Sequence, residues 1–164
     1  MKMLLTLLRH AKTEPARAEQ EDWHRELQPR GRRDARDMGR RLHARDLKPA
    51  LLVTSPAVRA LETAKIVARE LKIAQGKIRQ DERLYLASAK VLLQVVQEQG
   101  QGAAHLMIVG HNPGITEFAD RLSSERTLDN MPTCAAYTLE FDIASWSELA
   151  WGAGTDAEFD YPGR

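Results

Sequence analysis

Three stretches of the sequence place arginine or histidine side chains at or shortly after the end of an apolar run. Arg9 and His10 follow Leu-Leu-Thr-Leu-Leu, and His111 follows Leu-Met-Ile-Val-Gly. Arg59 lies a few residues after a third run, Leu-Leu-Val. Guanidinium and imidazole groups gathered in one place repel each other unless an anion lies between them, and a phosphate, with its several acceptor oxygens, fits that position. These residue types predict a phosphate site, provided that the fold brings them together.

The apolar runs predict how the fold does this. They span residues 4–8, 51–53 and 106–109, and continuous apolar runs of this length are typical of strands covered on both faces in a parallel sheet. A helical pattern follows each run. Alternating strands and helices favour a three-layer α/β/α sandwich, with a mostly parallel central sheet and helices on both faces. In such folds, functional loops cluster at the carboxyl ends of the parallel strands.

Local signals predict where the other elements begin and end. Ser55 is predicted to cap the helix after the second strand, and Asn112 is predicted to cap the helix after the last buried strand. A further helix is expected over residues 88–99, with Ser88 as its cap. After residue 132 the apolar residues alternate, which predicts a strand exposed on one side, and the last stretch predicts one or two edge strands.

The composition is that of a globular protein. The chain has 164 residues, of which 43% are hydrophobic and 29% charged, and we expect a single domain over residues 1–164. The N-terminal apolar run is too short to cross a bilayer and lacks a signal-peptide pattern, so no membrane partner is expected. The first 50 residues hold 13 Lys and Arg against 8 Asp and Glu, but acidic residues alternate with them and aromatic residues are few, which argues against a nucleic-acid partner. The one cysteine, Cys134, suits a reducing cytoplasm.

The three motifs, taken in order, resemble the histidine phosphatase superfamily, which has the phosphoglycerate mutase-like fold. The likeness is carried by Arg-His-Ala-Lys, Ser-Pro-Ala-Val-Arg-Ala-Leu-Glu-Thr-Ala and Val-Gly-His-Asn-Pro. The short chain is most similar to the SixA-type phosphohistidine phosphatase branch. The family's commonest opening is Arg-His-Gly, whereas here Ala11 follows His10. The stretch from Asp22 to Ala35 also resembles that branch's link into its first long helix.

This resemblance implies a role for each residue. His10 is implied as the nucleophile, which attacks phosphorus to form a covalent phosphohistidine. Arg9 and Arg59 would hold the phosphate oxygens, and His111, if protonated, would add another donor. Lys12, in the loop after the nucleophile, is a further candidate for substrate binding. No metal or other cofactor is needed, and the sequence contains neither a His-Glu-x-x-His motif nor a P-loop.

The leaving group separates the possible activities. Relatives that act on phosphate esters place an acid after the second helix, and Glu82, with Asp81 as its rival, is the nearest match. A phosphohistidine needs such an acid less, because its imidazole is a better leaving group than an alkoxide. We therefore expect hydrolysis of phosphohistidine, on a protein such as a phosphotransfer domain. Two alternatives remain: a small-molecule phosphomonoesterase with Glu82 or Asp81 as general acid, and an inactive phosphate-binding or interaction module.

Overall fold

The structure of the protein is a computed structural model that describes residues 2–125 and 128–164. Its centre is a six-stranded sheet with the strand order β3-β2-β4-β1-β5-β6. The strands are β1 Lys2–Arg9, β2 Leu51–Thr54, β3 Ile78–Gln80, β4 His105–Gly110, β5 Ala136–Asp142 and β6 Thr155–Asp160. The first four are parallel to one another, and β5 and β6 extend the sheet in antiparallel fashion. The predicted mostly parallel sheet is confirmed.

Helices cover both faces of this sheet. They are α1 Pro29–Ala44, α2 Val58–Glu70, α3 Ala89–Gln99 and α4 Gly114–Leu122, and short 3-10 turns lie at Asp22–His24, Gln75–Lys77, Glu82–Leu84 and Trp146–Glu148. The apolar faces of α1 and α2 pack into one core cluster, and those of α3 and α4 pack into another. Alternate side chains of β1 enter the two clusters, as Leu7 and Leu8 do. The predicted three-layer α/β/α architecture is therefore confirmed.

Helix α1 packs closely on α2 because a glycine lies at their contact. A Cβ atom added to Gly39 would lie 2.7 Å from the Cβ atom of Glu70. That distance is shorter than the van der Waals contact distance between two non-bonded carbon atoms. Any larger residue at this position would therefore push the two helices apart.

Some local predictions were wrong. Strand β5 was predicted to be exposed on one face, but it is buried along most of both faces. Thr138 lies on the face expected to meet solvent, and it is buried. Its hydroxyl forms a hydrogen bond of 2.8 Å with the Thr6 hydroxyl. Helix α2 begins at Val58, so Ser55 lies too early in the chain to cap it. Helix α4 begins at Gly114, and Asn112 bonds to the Thr116 side chain instead of capping the helix. Ser88, by contrast, caps α3 as predicted.

The sheet brings the predicted phosphate ligands to one edge. In the parallel register Arg9 pairs with Gly110, and Thr54 pairs with Val109. The residues that follow β1, β2 and β4 therefore leave the sheet side by side. Within residues 2–125 and 128–164, no helix combines the length and the hydropathy needed to cross a membrane.

Candidate active site

A cavity of about 370 Å³ opens at this edge of the sheet, and it brings the predicted residues together. The lining side chains are mostly basic or polar: Arg9, His10, Lys12, Thr13, Asp22, Arg25, Arg59, Leu86, His111, Asn112 and Thr133. The ring centroids of His10 and His111 are 5.3 Å apart. Lys12 is exposed at the rim. None of the lining residues comes from residues 142–164, so this part of the chain does not form a wall of the cavity.

The hydrogen bonding of His10 leaves one ring nitrogen free to react. Its Nδ1 lies 2.9 Å from the carbonyl oxygen of Ala11, and because a carbonyl can only accept, Nδ1 carries the ring hydrogen. Nε2 then keeps its lone pair. The pKa of His10 is lowered to about 4, mainly by burial; the bond to Ala11 opposes this shift, and the nearby charges of Arg59, Arg9 and Arg25 add to it. At neutral pH, His10 is therefore an uncharged imidazole, which is the form that can attack phosphorus.

Backbone contacts hold the His10 loop in place. The Ala11 N–H donates to the Thr63 hydroxyl at 3.0 Å, and that hydroxyl donates to the Arg59 carbonyl. On the other side, the Cys134 N–H lies 3.1 Å from the Arg9 carbonyl and 3.0 Å from the His10 carbonyl. The strand end is thus tied both to α2 and to the segment before β5.

Two buried nitrogen atoms of the cavity-lining side chains have no hydrogen-bond partner among the described residues. They are Nε of Arg9 and Nδ1 of His111. Arg9 donates from Nη1 to the Met131 carbonyl at 3.0 Å, and burial lowers its pKa. A buried polar group without a partner costs about 1–3 kcal/mol. Both atoms belong to side chains that line the cavity, and guanidinium and imidazole donors gathered in one place favour an anion as the occupant.

Ser55 sets the hydrogen bonding of His111. Its hydroxyl oxygen lies 2.8 Å from Nε2 of His111 and accepts from the Ala57 N–H at 3.3 Å. In the tautomer with hydrogen on Nδ1, Nε2 accepts from the serine hydroxyl. Burial lowers the pKa of His111 to about 3, and His10 and Arg59 add to this effect. In the free protein His111 is neutral, and in this tautomer the uncharged ring can donate to an anion through Nδ1.

Asp22 organises the other side of the cavity. Arg59 donates to it twice, from Nη1 to the backbone carbonyl at 2.8 Å and from Nη2 to Oδ2 at 2.9 Å. Arg25 donates to Oδ1 at 3.0 Å, and the Tyr85 hydroxyl donates to Oδ2 at 2.6 Å. Burial alone would raise the pKa of Asp22, but these hydrogen bonds from Tyr85, Arg25 and Arg59 outweigh it and hold the pKa well below its usual range. Asp22 is thus a carboxylate that fixes Arg59 while leaving further guanidinium donors for an anion.

Glu82 and Asp81, the two acids predicted as proton donors, do not line the cavity. Glu82 is exposed in the 3-10 turn after β3. Asp81 accepts hydrogen bonds from Arg83 and Gln99, and the Arg83 bond is the main reason why its pKa is lowered. Asp22 is the one carboxylate among the lining residues, and it is ionised. The lining therefore contains no carboxyl group that carries a proton at neutral pH.

Sequence reasoning assigned no role to Asp22, Arg25 or Tyr85, and it interpreted Ser55 only as a helix cap. Asp22 belongs to the stretch that resembles the link into the first helix, which was the one available signal. Its partners Arg59 and Tyr85 lie 37 and 63 residues away along the chain, so no local pattern connects them. The described residues contain no group of three or more His, Cys, Asp or Glu side chains placed to hold a metal ion.

Comparison with known proteins shows what this chain is similar to. The family model described as the histidine phosphatase superfamily (branch 1) matches residues 5–85, a range that contains Arg9, His10 and Arg59. Over these residues the chain is similar to the histidine phosphatase superfamily. This similarity supports a phosphatase as the class of activity. None of the curated proteins matches the chain in sequence.

Solved structures of proteins named SixA share the fold of this chain over nearly its whole length. The SixA protein of Agrobacterium tumefaciens aligns with a TM-score of 0.84 at 24% identity, over 98% of each chain. A protein histidine phosphatase SixA complexed with tungstate aligns with a TM-score of 0.83 at 20% identity, over 98% of this chain and 97% of that chain. A mycobacterial glucosyl-3-phosphoglycerate phosphatase aligns with a TM-score of 0.67 at 17% identity, over 98% of each chain. The phosphoglycerate mutase-like fold is thereby confirmed.

We expect His10 of the free protein to remain neutral well below neutral pH. An unperturbed imidazole has a pKa of about 6.5, and burial lowers the pKa of His10 to about 4. The folded protein therefore takes up this proton only in stronger acid than the unfolded chain does, and acid weakens folding between the two values. NMR titration of the His10 ring should show this midpoint, with the peptide Arg-His-Ala-Lys as reference. A midpoint equal to that of the peptide would contradict the expectation.

Proposed function

We propose that the protein is a metal-independent phosphohistidine phosphatase that works through a covalent phosphohistidine on His10. The proposal is carried by the placement of Arg9, His10, Arg59 and His111 around one cavity. Among the described residues, two buried nitrogen atoms of these side chains have no hydrogen-bond partner. An anion with several acceptor oxygens suits the guanidinium donors of this cavity, and His10 lines the same cavity as an uncharged imidazole. A cytoplasmic location, with Cys134 reduced, belongs to the same proposal.

The chemistry takes two displacements at phosphorus. In the first, Nε2 of His10 forms a bond to phosphorus while the bond to the substrate nitrogen breaks, and the electron pair stays on the leaving imidazole. In the second, water forms a bond to phosphorus and the electron pair of the phosphorus–Nε2 bond returns to His10. The water hydrogens leave on the phosphate as H₂PO₄⁻. Arg9, Arg59 and Nδ1 of His111 stabilise the charge on the transferring group in both steps.

The absence of a protonated carboxyl group in the cavity lining favours a nitrogen leaving group over an oxygen one. An alkoxide needs a proton as it departs, and the one lining carboxylate, Asp22, is ionised and hydrogen-bonded to Arg59, Arg25 and Tyr85. The imidazole of a phosphohistidine can be protonated before the reaction and leaves without a general acid. The higher TM-scores with the SixA structures than with the glucosyl-3-phosphoglycerate phosphatase agree with this choice.

A direct comparison of substrates tests the proposal. We expect turnover of a phosphotransfer-domain protein phosphorylated on histidine, and much slower turnover of sugar phosphates and p-nitrophenyl phosphate. Phosphate release measured at equal enzyme concentration gives kcat/KM for each substrate. Efficient ester hydrolysis without action on the phosphohistidine protein would replace the proposal with a small-molecule phosphomonoesterase. Neither turnover nor a phosphoenzyme with any of these substrates would indicate a phosphate-binding module.

The substitution Glu82→Gln should leave the activity on phosphohistidine unchanged. Glu82 is exposed and lies outside the cavity, so it has no route to the leaving group. Measuring kcat/KM for the variant and the wild type on both substrate classes checks this. If ester turnover were efficient and Glu82→Gln abolished it, Glu82 would be a general acid and the phosphomonoesterase alternative would hold.

A further inference from the structure

Leu86 stands apart from the other cavity-lining residues because it is a large apolar side chain. It is 55% exposed, and it is the one exposed large hydrophobic residue in the described part of the chain. A single exposed leucine on a protein surface is ordinary. This one, however, lies in the lining of the cavity that holds His10 and His111. The place of Leu86 in the cavity lining and the conformation of its backbone indicate a function for this exposed side chain.

The backbone of Leu86 adopts a conformation that leucine normally avoids. Its φ is 49°, in the left-handed region, where the Cβ atom of an ordinary residue crowds its own backbone. Such strain persists where the surrounding structure fixes the segment, and it is common at functional sites.

Both sequence neighbours of Leu86 are held in place by contacts with other parts of the chain. Tyr85 is anchored by its hydrogen bond to Asp22 at 2.6 Å. Ala87 lies against the start of α4, where a Cβ atom added to Gly114 would be only 1.8 Å from the Ala87 carbonyl oxygen. The segment therefore cannot relax by moving as a whole, and Leu86 is held at the cavity.

The surroundings of Leu86 are basic. Lys12 and Arg25 line the same cavity in addition to Arg9 and Arg59, and Asp22 is the one acidic side chain of the lining. Asp22 is already bound by Arg25 and Arg59. The cavity thus combines an excess of positive charge with one exposed apolar side chain, a combination complementary to an acidic protein surface that carries an apolar residue.

We propose that Leu86 is a docking contact for the protein that carries the phosphohistidine. The partner has an acidic surface around the phosphorylated histidine and an apolar side chain that covers Leu86. This inference rests on the proposed function, because it assumes that the phosphoryl group arrives on a protein. A free phosphoamide fills the phosphate position but has no surface to place against Leu86.

Substitution of Leu86 tests the contact. Leu86→Asn removes the apolar surface and keeps a residue type that tolerates the left-handed backbone, and Leu86→Met keeps the apolar character. Gln101→Asn is the matched control, because Gln101 is also exposed with a φ of 49° and does not line this cavity. The substrates are a phosphotransfer-domain protein phosphorylated on histidine, free phosphohistidine and phosphoramidate. Thermal unfolding of each variant is measured alongside.

The expected result is a change in substrate preference. Leu86→Asn should lower the ratio of kcat/KM for the phosphoprotein to kcat/KM for free phosphohistidine by about tenfold, mainly through KM, since an apolar contact of this size has roughly that effect. Leu86→Met and Gln101→Asn should keep the wild-type ratio. An unchanged ratio in Leu86→Asn, or an equal loss on all three substrates, would overturn the docking contact while the phosphatase proposal stands. If the wild type hydrolysed neither the phosphoprotein nor free phosphohistidine, both the docking contact and the phosphatase proposal would be wrong.

Discussion

Replacing His10 by alanine is expected to abolish turnover and the covalent intermediate together. Nε2 of His10 is the nucleophile in the proposed reaction, and removing a nucleophile typically lowers kcat by roughly four orders of magnitude or more. In a rapid-quench experiment, the wild type should form an acid-labile phosphoenzyme from a phosphohistidine protein, and His10→Ala should form none. Alkaline quenching keeps the phosphorus–nitrogen bond intact during detection.

A second histidine serves as the control for this experiment. His24 is exposed and lies outside the cavity, so His24→Ala should keep both the phosphoenzyme and the turnover. Folding of His10→Ala is checked by circular dichroism, because the substitution removes the bond to the Ala11 carbonyl and the ring contact with His111. Detection of a phosphoenzyme in His10→Ala would assign the nucleophile to another residue, with His111 the first to examine.

Replacing Arg59 by alanine is expected to lower kcat/KM by a hundredfold to a thousandfold, or about 3–4 kcal/mol of transition-state stabilisation. The Arg59 side chain is only 4% exposed, and Asp22 holds it in position before substrate arrives. A donor placed in advance stabilises the transferring phosphoryl group without reorganisation. Arg59→Lys should recover only part of the loss, because an ammonium group lacks the planar fork.

The matched control for Arg59 is on the same helix. Arg69 is an exposed arginine in the last turn of α2, and Arg69→Ala should leave kcat/KM unchanged. Thermal unfolding separates a catalytic role from a structural one, because Arg59 also binds Asp22. If Arg59→Ala unfolded more easily but kept wild-type activity per folded molecule, Arg59 would be an anchor for the Asp22 segment and not a phosphate ligand.

The parts of the fold that could be predicted are those with strong local signals. The buried strands β1, β2 and β4 are continuous apolar runs, and the residues that follow them meet in one cavity because parallel strands share an edge. Strand β3 was missed because it has only three residues, none of them fully buried. The one-sided exposure expected of β5 failed because burial depends on what packs on a strand, and alternation alone does not show that.

The contacts that organise the candidate site could not be predicted in the same way. Asp22 contacts Arg59 and Tyr85 only after the chain has folded, and its neighbours in sequence give no sign of either partner. Ser55 has the residue type and position of a helix cap, yet its hydroxyl binds His111, 56 residues further on. Glu82 was chosen as the candidate acid because it follows the expected element in sequence, but it does not line the cavity.

The burial of Cys134 has a consequence for how the protein responds to oxidants. This single thiol is fully buried, and desolvation raises its pKa far above the usual range, so it stays protonated. Peroxide attacks thiolates, and phosphatases with a cysteine nucleophile lose activity when that thiolate is oxidised. Because the proposed nucleophile is an imidazole and the one sulfhydryl is shielded, we expect the proposed phosphatase activity to be independent of thiol oxidation.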